Sequence, residues 1–294
     1  MTAAPAGRAL ITGGGGQVGL ALKARVPSGW AVVACGVDQL DVTRPDQVRE
    51  VLRRERPAVV IHTAAYTAVD AAESDVATAE AVNARGTAHV AEAARDVGAR
   101  LLHVSTDFVF DGASGRPYAP DDPPEPLGVY GRTKLAAERE ARRVMGDRAV
   151  ILRTAWVYSR HGQNFVRTML RLMQEREEVG VVADQIGTPT WADSLAEALW
   201  AVAGRPVAGV LHWTDAGVAS WYDFAVAIQE EAIAAGVLAR AVPIRPLRTG
   251  EYPAAAPRPP YSVLDKSATW ALLGRTPPHW RVNLRLMLQE LARG

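Results

Sequence analysis

At 294 residues, with 33 Lys and Arg against 32 Asp and Glu and a net charge of +1, the chain has room for one large α/β domain or two lobes, at about 100–200 residues per domain. That balance supplies no general field for drawing in nucleic acid or an anionic membrane, so any anion must be caught locally. The one cysteine, Cys35, excludes a disulfide framework and a multi-cysteine metal site and suits a reducing compartment, the cytoplasm by default. No apolar run approaches the roughly 20 residues of a membrane helix, and the start lacks the apolar centre of a secretory signal. A leading tail of about seven residues is expected to be disordered.

From Arg8 onward short apolar runs alternate with amphipathic stretches, the pattern of a parallel sheet wrapped by helices. Strands are predicted at 9–12, 30–35, 58–62, 100–104 and 149–152. Helices are predicted around 17–25, 45–56, with Pro45 at its first turn, 74–97 and 130–146. Strict β-α repetition implies right-handed crossovers and a doubly wound, Rossmann-type parallel sheet. After about residue 157 the rhythm loosens, and the prolines between Pro243 and Pro260 interrupt regular structure. A helix at 192–203 and a strand at 209–213 return to the sheet. The reading is therefore a cofactor domain of residues 8–157 plus about 191–216, interleaved with a smaller substrate lobe of 158–190 and 217–294.

Directly after the first strand stands Thr12-Gly13-Gly14-Gly15-Gly16-Gln17-Val18-Gly19. Glycines at 13, 16 and 19 permit a tight turn, let backbone approach a pyrophosphate and let the following helix pack on the strand, while the helix N-terminus offers free N–H groups. The strand before it and the helix after it separate this loop from a flexible linker. The spacing differs from G-x-G-x-x-G and resembles the glycine loop of extended short-chain dehydrogenase/reductases.

The chain has three lysines, at 23, 134 and 266, so a lysine where chemistry needs one carries weight. In Val129-Tyr130-Gly131-Arg132-Thr133-Lys134 the tyrosine and lysine are four apart and share one helix face. An ammonium beside a phenol is expected to lower its pKa from about 10 toward a usable range. Upstream, Ser105-Thr106-Asp107 ends the fourth strand, at the sheet edge where ligands sit. The Thr106 hydroxyl there either assists a substrate carbonyl or caps the following turn.

The order of further motifs extends the resemblance to nearly the whole chain, residues 8–292. Ala64-Ala65-Tyr66-Thr67-Ala68-Val69-Asp70-Ala71-Ala72-Glu73-Ser74, Ser105 to Gly112, Val129 to Lys134, Leu152 to Tyr158, Asn164-Phe165 and Asp184-Gln185-Ile186-Gly187-Thr188-Pro189-Thr190 resemble the successive motifs of the dTDP-4-dehydrorhamnose reductase family. The resemblance implies that NADPH, with NADH possible, reduces the carbon 4 ketone of dTDP-6-deoxy-L-lyxo-4-hexulose. It implies Tyr130 as proton donor, Lys134 on the nicotinamide ribose and Thr106 at the carbonyl. Gly13, Gly16, Gln17 and Val18 then hold the pyrophosphate, Asp41 and Val42 lie near the adenine, and Ala64, Ala65 and Tyr66 flank the cofactor. Asp107, Trp156 and Arg258 contact the sugar nucleotide. Read alone, Asp41 can equally close a loop and Trp156 can equally be core. Phe108 and Tyr261 stand where the family usually has tyrosine and asparagine, which leaves room for another dTDP-deoxysugar. A regulatory subunit like that of methionine adenosyltransferase is the alternative of a different class.

Two expectations concern the cofactor and assembly. The position that holds an acidic residue against the adenosine 2′-OH in dinucleotide folds is Gly36 here, so NADPH should serve at least as well as NADH. Some members of the family form a dimer bridged by magnesium through three glutamates, and the matching positions are Ala21, Asp193 and Glu290. With one carboxylate gone no metal site is expected, and the protein should be a monomer or a weak, metal-independent dimer.

Overall fold

In the computed structural model, which describes residues 7–293, each predicted apolar run becomes a strand of one six-stranded parallel sheet. The expected leading tail falls mainly on residues 1–6, outside this range. The strands are β1 (Arg8–Thr12), β2 (Ala31–Cys35), β3 (Val59–His62), β4 (Arg100–Thr106), β5 (Ala149–Thr154) and, after a long excursion, β10 (Gly209–His212). They lie in the order β10-β5-β4-β3-β1-β2. The chain reverses direction across the sheet between β1 and β3, which is where such folds bind ligands, outside the carboxyl ends of the strands.

Strand periodicity divides the sheet into two faces. Ala9, Ile11, Val59, Ile61, Leu102, Val150 and Leu152 pack on one side against α1 (Gln17–Ala24) and α8 (Ala192–Ala203). Leu10, Val60, Leu101, Ala149 and Ile151 pack on the other against α2 (Pro45–Glu55) and the helices that follow β3 and β4. Burial on both faces explains why these strands read as continuous apolar runs. β5 extends two residues past the predicted end, to Thr154, and β4 to Thr106, so Thr106 and Thr154 sit side by side at the sheet edge.

Helix prediction holds closely for α1, α2, α6 (Val129–Met145) and α8. The stretch expected as one helix over 74–97 is α4 (Val76–Ala79), a π-helical turn at Glu80–Arg85 and α5 (Gly86–Asp96), preceded by a short α3 (Val69–Ala72). The π turn has a local cause: buried Asn83 faces inward, its Oδ1 accepting from Tyr66 N at 2.8 Å and its Nδ2 donating to Tyr66 O at 3.2 Å and Thr133 Oγ1 at 3.0 Å. A widened turn that aims a side chain at a functional edge is the usual place for such an irregularity.

A separate apolar cluster gathers Tyr158, Val166, Met169, Trp191, Phe224, Ile228, Trp280, Leu284 and Met287. Its elements are β6 (Val157–Tyr158), α7 (Phe165–Glu175), β7 (Val179–Val182), β8 (Ile186–Gly187), β9 (Thr190–Trp191), β11 (Ala219–Ser220), α9 (Trp221–Ala234), β12 (Ile244–Leu247) and α11 (Trp280–Ala292). β12 lies inside the proline-dense segment and pairs in parallel with β7 alone. Pro246 is tolerated because a two-stranded sheet leaves its N–H position facing outward. The short helix α10 (Ser267–Leu273) joins the sheet's cluster through Leu273 and Trp270. Among the described residues no helix is long and apolar enough to cross a membrane.

Candidate active site

The carboxyl ends of β1, β3, β4 and β5 open into a cleft of about 540 Å³ whose far wall comes from the second cluster. On the sheet side, β1 delivers the glycine loop. Gly13 has φ +67, and a Cβ there would lie 2.7 Å from Ala64 N, so glycine is needed for the loop to press against the outlet of β3. Gly16 caps α1 and leaves the first N–H groups of Gln17 and Val18 at the cleft. The Gln17 side chain is docked across the cleft: its Oε1 accepts from Ser159 Oγ at 3.1 Å and Asn164 Nδ2 at 3.0 Å.

Beneath the β3 outlet runs a fully buried polar chain. The Thr87 hydroxyl donates to Asn83 O at 2.6 Å and faces His62 Nε2 at 3.0 Å; His62 Nδ1 faces Thr12 Oγ1 at 2.6 Å, which accepts from Ala64 N at 3.3 Å. Because Thr87 has spent its proton on the carbonyl, His62 carries its hydrogen on Nε2. Burial, with the Lys134 charge adding, pushes His62 down to about 3, so it is neutral. Asn83 and this chain together fix Ala64, Ala65 and Tyr66.

β4 and α6 bring the other half. A Cβ on Gly131 would lie 2.2 Å from Phe108 O, so glycine between Tyr130 and Lys134 lets α6 approach the turn at Asp107–Val109 closely enough to place Tyr130 beside Thr106. Glu73 Oε1 caps α6 by accepting from Val129 N at 2.7 Å. Burial pushes the Tyr130 phenol up to about 12, with hydrogen bonding to Thr106 opposing and the Asp107 charge adding. This corrects the expected lowering by Lys134. The ammonium is turned to β4 instead, donating to Val104 O at 2.7 Å and to His103 Nε2 at 3.1 Å, and burial brings it down to about 8. Tyr130 is therefore a loaded proton donor at neutral pH.

Thr106 performs the capping role as well as lining the cleft: its Oγ1 accepts from Phe108 N at 3.2 Å and donates to Asp107 Oδ1 at 3.1 Å. Asp107 is buried and pushed up to about 6 by desolvation. Its Oδ2, like Thr154 Oγ1, has no partner among the described residues, and both residues line the cleft.

Opposite them Trp156 holds a left-handed backbone, φ +49, and stacks on Trp221 at 3.5 Å and 7°. Phe165 closes on the same tryptophan at 4.6 Å. Arg258 lines the cleft with its end-on edge bound to Asp70, NH1 to Oδ1 at 3.0 Å and NH2 to Oδ2 at 2.7 Å. Of the residues expected from sequence, Gly16, Gln17, Val18, Ala65, Thr106, Asp107, Tyr130, Lys134, Trp156 and Arg258 line this one cleft. Gly13, Ala64 and Tyr66 are not among its lining residues: Gly13 abuts Ala64, and the Tyr66 backbone is held by Asn83. Asp41 and Val42 do not line the cleft. Asp41 Oδ1 takes Thr43 N at 2.9 Å and Thr43 Oγ1 at 2.7 Å, the loop-closing role left open beside a cofactor contact, and Val42 is buried, with its carbonyl oxygen 2.9 Å from His89 Nδ1. Reasoning from sequence missed Trp221, Thr154, Asn83 and His103; the first two are cleft residues whose signal was their place next to a strand end or a helix start.

The positions expected for a metal bridge are brought together differently. Ala21 is core, and Arg25 reaches Asp193 Oδ2 at 2.8 Å, Glu197 at 3.8 Å and Glu290 at 3.8 Å.

A glycine loop over a helix N-terminus, a tyrosine and lysine one turn apart and a threonine at the neighbouring strand end define a Rossmann-type oxidoreductase of the extended short-chain dehydrogenase/reductase class. A family model described as the RmlD substrate binding domain matches residues 7–293. A dTDP-4-dehydrorhamnose reductase from Aggregatibacter actinomycetemcomitans is 41% identical over 286 residues, covering 95% of this chain and 97% of that one. A dTDP-4-keto-6-deoxy-D-glucose reductase from Streptomyces niveus is 42% identical over 279 residues, 94% of this chain and 95% of that one. The crystal structure of the Bacillus anthracis dTDP-4-dehydrorhamnose reductase in complex with NADP superposes with a TM-score of 0.91 at 36% identity, over 97% of this chain and 99% of that one. The chain belongs to the dTDP-4-dehydrorhamnose reductase family.

Proposed function

We propose that the protein reduces the 4-keto group of dTDP-6-deoxy-L-lyxo-4-hexulose to give dTDP-L-rhamnose, using NADPH. The observation that carries this reading is the convergence of Tyr130, Lys134 and Thr106 on one cleft, with the glycine loop on one wall and Trp156 and Arg258 on the other. The residues present suit a dinucleotide: the loop admits no Cβ at Gly13, and the N-terminus of α1 meets the cleft. NADPH supplies the hydride when bound. Gly13, Gly16, Gln17 and Val18 hold its pyrophosphate, Ala64, Ala65 and Tyr66 flank it, and Asp41 and Val42 lie toward its adenine. Lys134 directs its remaining N–H to the ribose. The Thr106 hydroxyl turns from Asp107 Oδ1 to hydrogen-bond the ketone oxygen as charge develops there, and Tyr130, protonated throughout the neutral range, passes its proton to that oxygen.

Asp107 Oδ2 and Thr154 Oγ1 take sugar hydroxyls, and Trp156, whose two faces are covered by Trp221 and the Gly187 backbone, meets the sugar with its edge. Arg258 keeps its side-on Nε and NH2 edge for the nucleotide diphosphate, because Asp70 occupies only the other edge. The cofactor part comprises residues 8–157 and about 191–216, and the substrate part 158–190 and 217–294. With this catalytic set intact among reductase relatives, the chain is an enzyme, and the regulatory-subunit alternative is set aside. Turnover assays following NADPH oxidation with the dTDP-hexulose test the substrate directly. A second reading, a 4-ketoreductase for another dTDP-deoxysugar, is favoured by the Streptomyces niveus relative and by Phe108; greater turnover with the 4-keto-6-deoxy-D-glucose nucleotide would establish it.

NADPH is expected to be used at least as well as NADH. Gly36 meets open space where an acidic side chain would repel a 2′-phosphate, and Val37 beside it is 70% exposed. Steady-state kinetics with both cofactors check this, and strong preference for NADH would place Asp38 on the ribose.

In solution the protein is expected to be a monomer or a weak dimer indifferent to chelators, acting in the cytoplasm without a metal. Arg25 already provides the positive charge among Asp193, Glu197 and Glu290, so a divalent cation would have to displace a guanidinium. Sedimentation velocity with and without EDTA gives the answer: a dimer that dissociates on chelation would refute the role given to Arg25.

A further inference from the structure

Lys134 is one of three lysines in the chain, and its ammonium is buried with two partners, Val104 O and an imidazole that the chemistry above does not use. We propose that His103 is a positioning residue for Lys134, a neutral acceptor that keeps the ammonium charged and aimed at the cleft. The proposal rests on the reductase reading for its meaning, while its evidence is local.

An ammonium has three N–H donors and no acceptor. His103 Nε2, 3.1 Å from Lys134 Nζ, must therefore be the nitrogen with the lone pair, and the ring proton sits on Nδ1. That Nδ1 has no partner among the described residues, and His103 has no exposed surface. A buried donor left unpaired costs stability, whereas an apolar side chain of similar size would leave none. Packing alone gives no reason for an imidazole here. The neighbouring ring makes the contrast: His62, with its centroid 5.2 Å away, uses both nitrogens.

The charges and titratable groups around Lys134 point the same way. From β4 comes His103 and from β3 comes His62, both held neutral by burial and by the Lys134 charge. From α6 itself come Tyr130, held as the phenol, and Glu138, whose carboxylate is engaged by Arg153 and Ser105. Glu138 favours the charged ammonium from a distance, and burial opposes it. The nearest side-chain acceptor is thus uncharged. A carboxylate there would neutralise the ammonium; an imidazole holds it and leaves its field acting on the cleft. With Val104 O and His103 taking two N–H groups, one is left for a ligand.

The test is a pH titration of lysine labelled with ¹³C at Cε, in which three lysines give few signals and Lys134→Met identifies the one concerned. In His103→Leu the Lys134 midpoint is expected to move acidward by about one unit. NADPH binding, followed by its fluorescence at about pH 8, should weaken several-fold, since less of the ammonium is charged. His103→Gln, whose amide oxygen reaches the same place, should restore both. Thermal melting of each variant checks that it is folded, and the apolar replacement is expected to melt no lower than the glutamine one. A folded His103→Leu protein with the wild-type midpoint and NADPH affinity would overturn the proposal, as would a glutamine variant no better than leucine. Neither readout uses the sugar, so failure of the wild-type enzyme on the dTDP-hexulose would count against the reductase reading and leave this result standing.

Discussion

Replacing Tyr130 with phenylalanine is expected to lower turnover by about two to four orders of magnitude, the range for loss of a positioned general acid. The ring itself is retained, and with it the edge contact to Phe108 at 5.6 Å. The fold and nucleotide binding should therefore survive, and only the proton at the cleft is lost. Burial and the Asp107 charge keep that proton on the phenol, pushed up to about 12, so the donor is loaded across the neutral range. Loss of NADPH absorbance with the dTDP-hexulose, compared between the wild type and a variant of equal melting temperature, measures the effect. A folded variant with near-normal turnover would remove Tyr130 from the mechanism.

Arg153→Met is expected to destabilise the protein by about 3–5 kcal/mol, a large part of the roughly 5–15 kcal/mol that holds a typical domain folded. Arg153 and Glu138 form a bidentate pair, Nε to Oε1 at 2.9 Å and NH2 to Oε2 at 2.8 Å, with both side chains 4% exposed. Ser105 donates to the same carboxylate, and the guanidinium lies 5.1 Å over the Phe110 ring. Removing the arginine leaves a buried carboxylate with a hydroxyl as its main partner. Replacing Glu138 by leucine together with Arg153 by methionine should recover most of the loss, because the cost lies in the unpaired charge more than in the missing attraction. Chemical denaturation of the single and double variants measures both. Each partner is also chain-adjacent, or one helical turn away, to a cleft residue: Arg153 to Thr154, Ser105 to Thr106, Glu138 to Lys134. A double variant that folds but turns over slowly would show that the pair aligns the cleft as well as holding the fold.

Sequence alone determined what depends on neighbours along the chain. The sheet strands were legible because burial on both faces turns them into apolar runs, and the glycine loop because strand, turn and helix N-terminus are contiguous. Tyr130 and Lys134 were legible because four residues make about one helical turn. The strand end pointed to Thr106 and the family motifs to Asp107, Trp156 and Arg258, without giving the protein groups they pack against. Tertiary structure decided the contacts between distant residues: the pairing of Arg258 with Asp70, the stack of Trp156 on Trp221, and the place of Arg25 among Asp193, Glu197 and Glu290. It also reversed the expected pKa shift of Tyr130. A helix brings the lysine near, but the carbonyl of Val104 and the ring of His103, both on β4 and 30 and 31 positions away along the chain, decide where the ammonium points. Local spacing sets which groups can meet, and desolvation by the folded surroundings sets their charge, so the chemistry of the cleft was half written in the sequence and completed by burial.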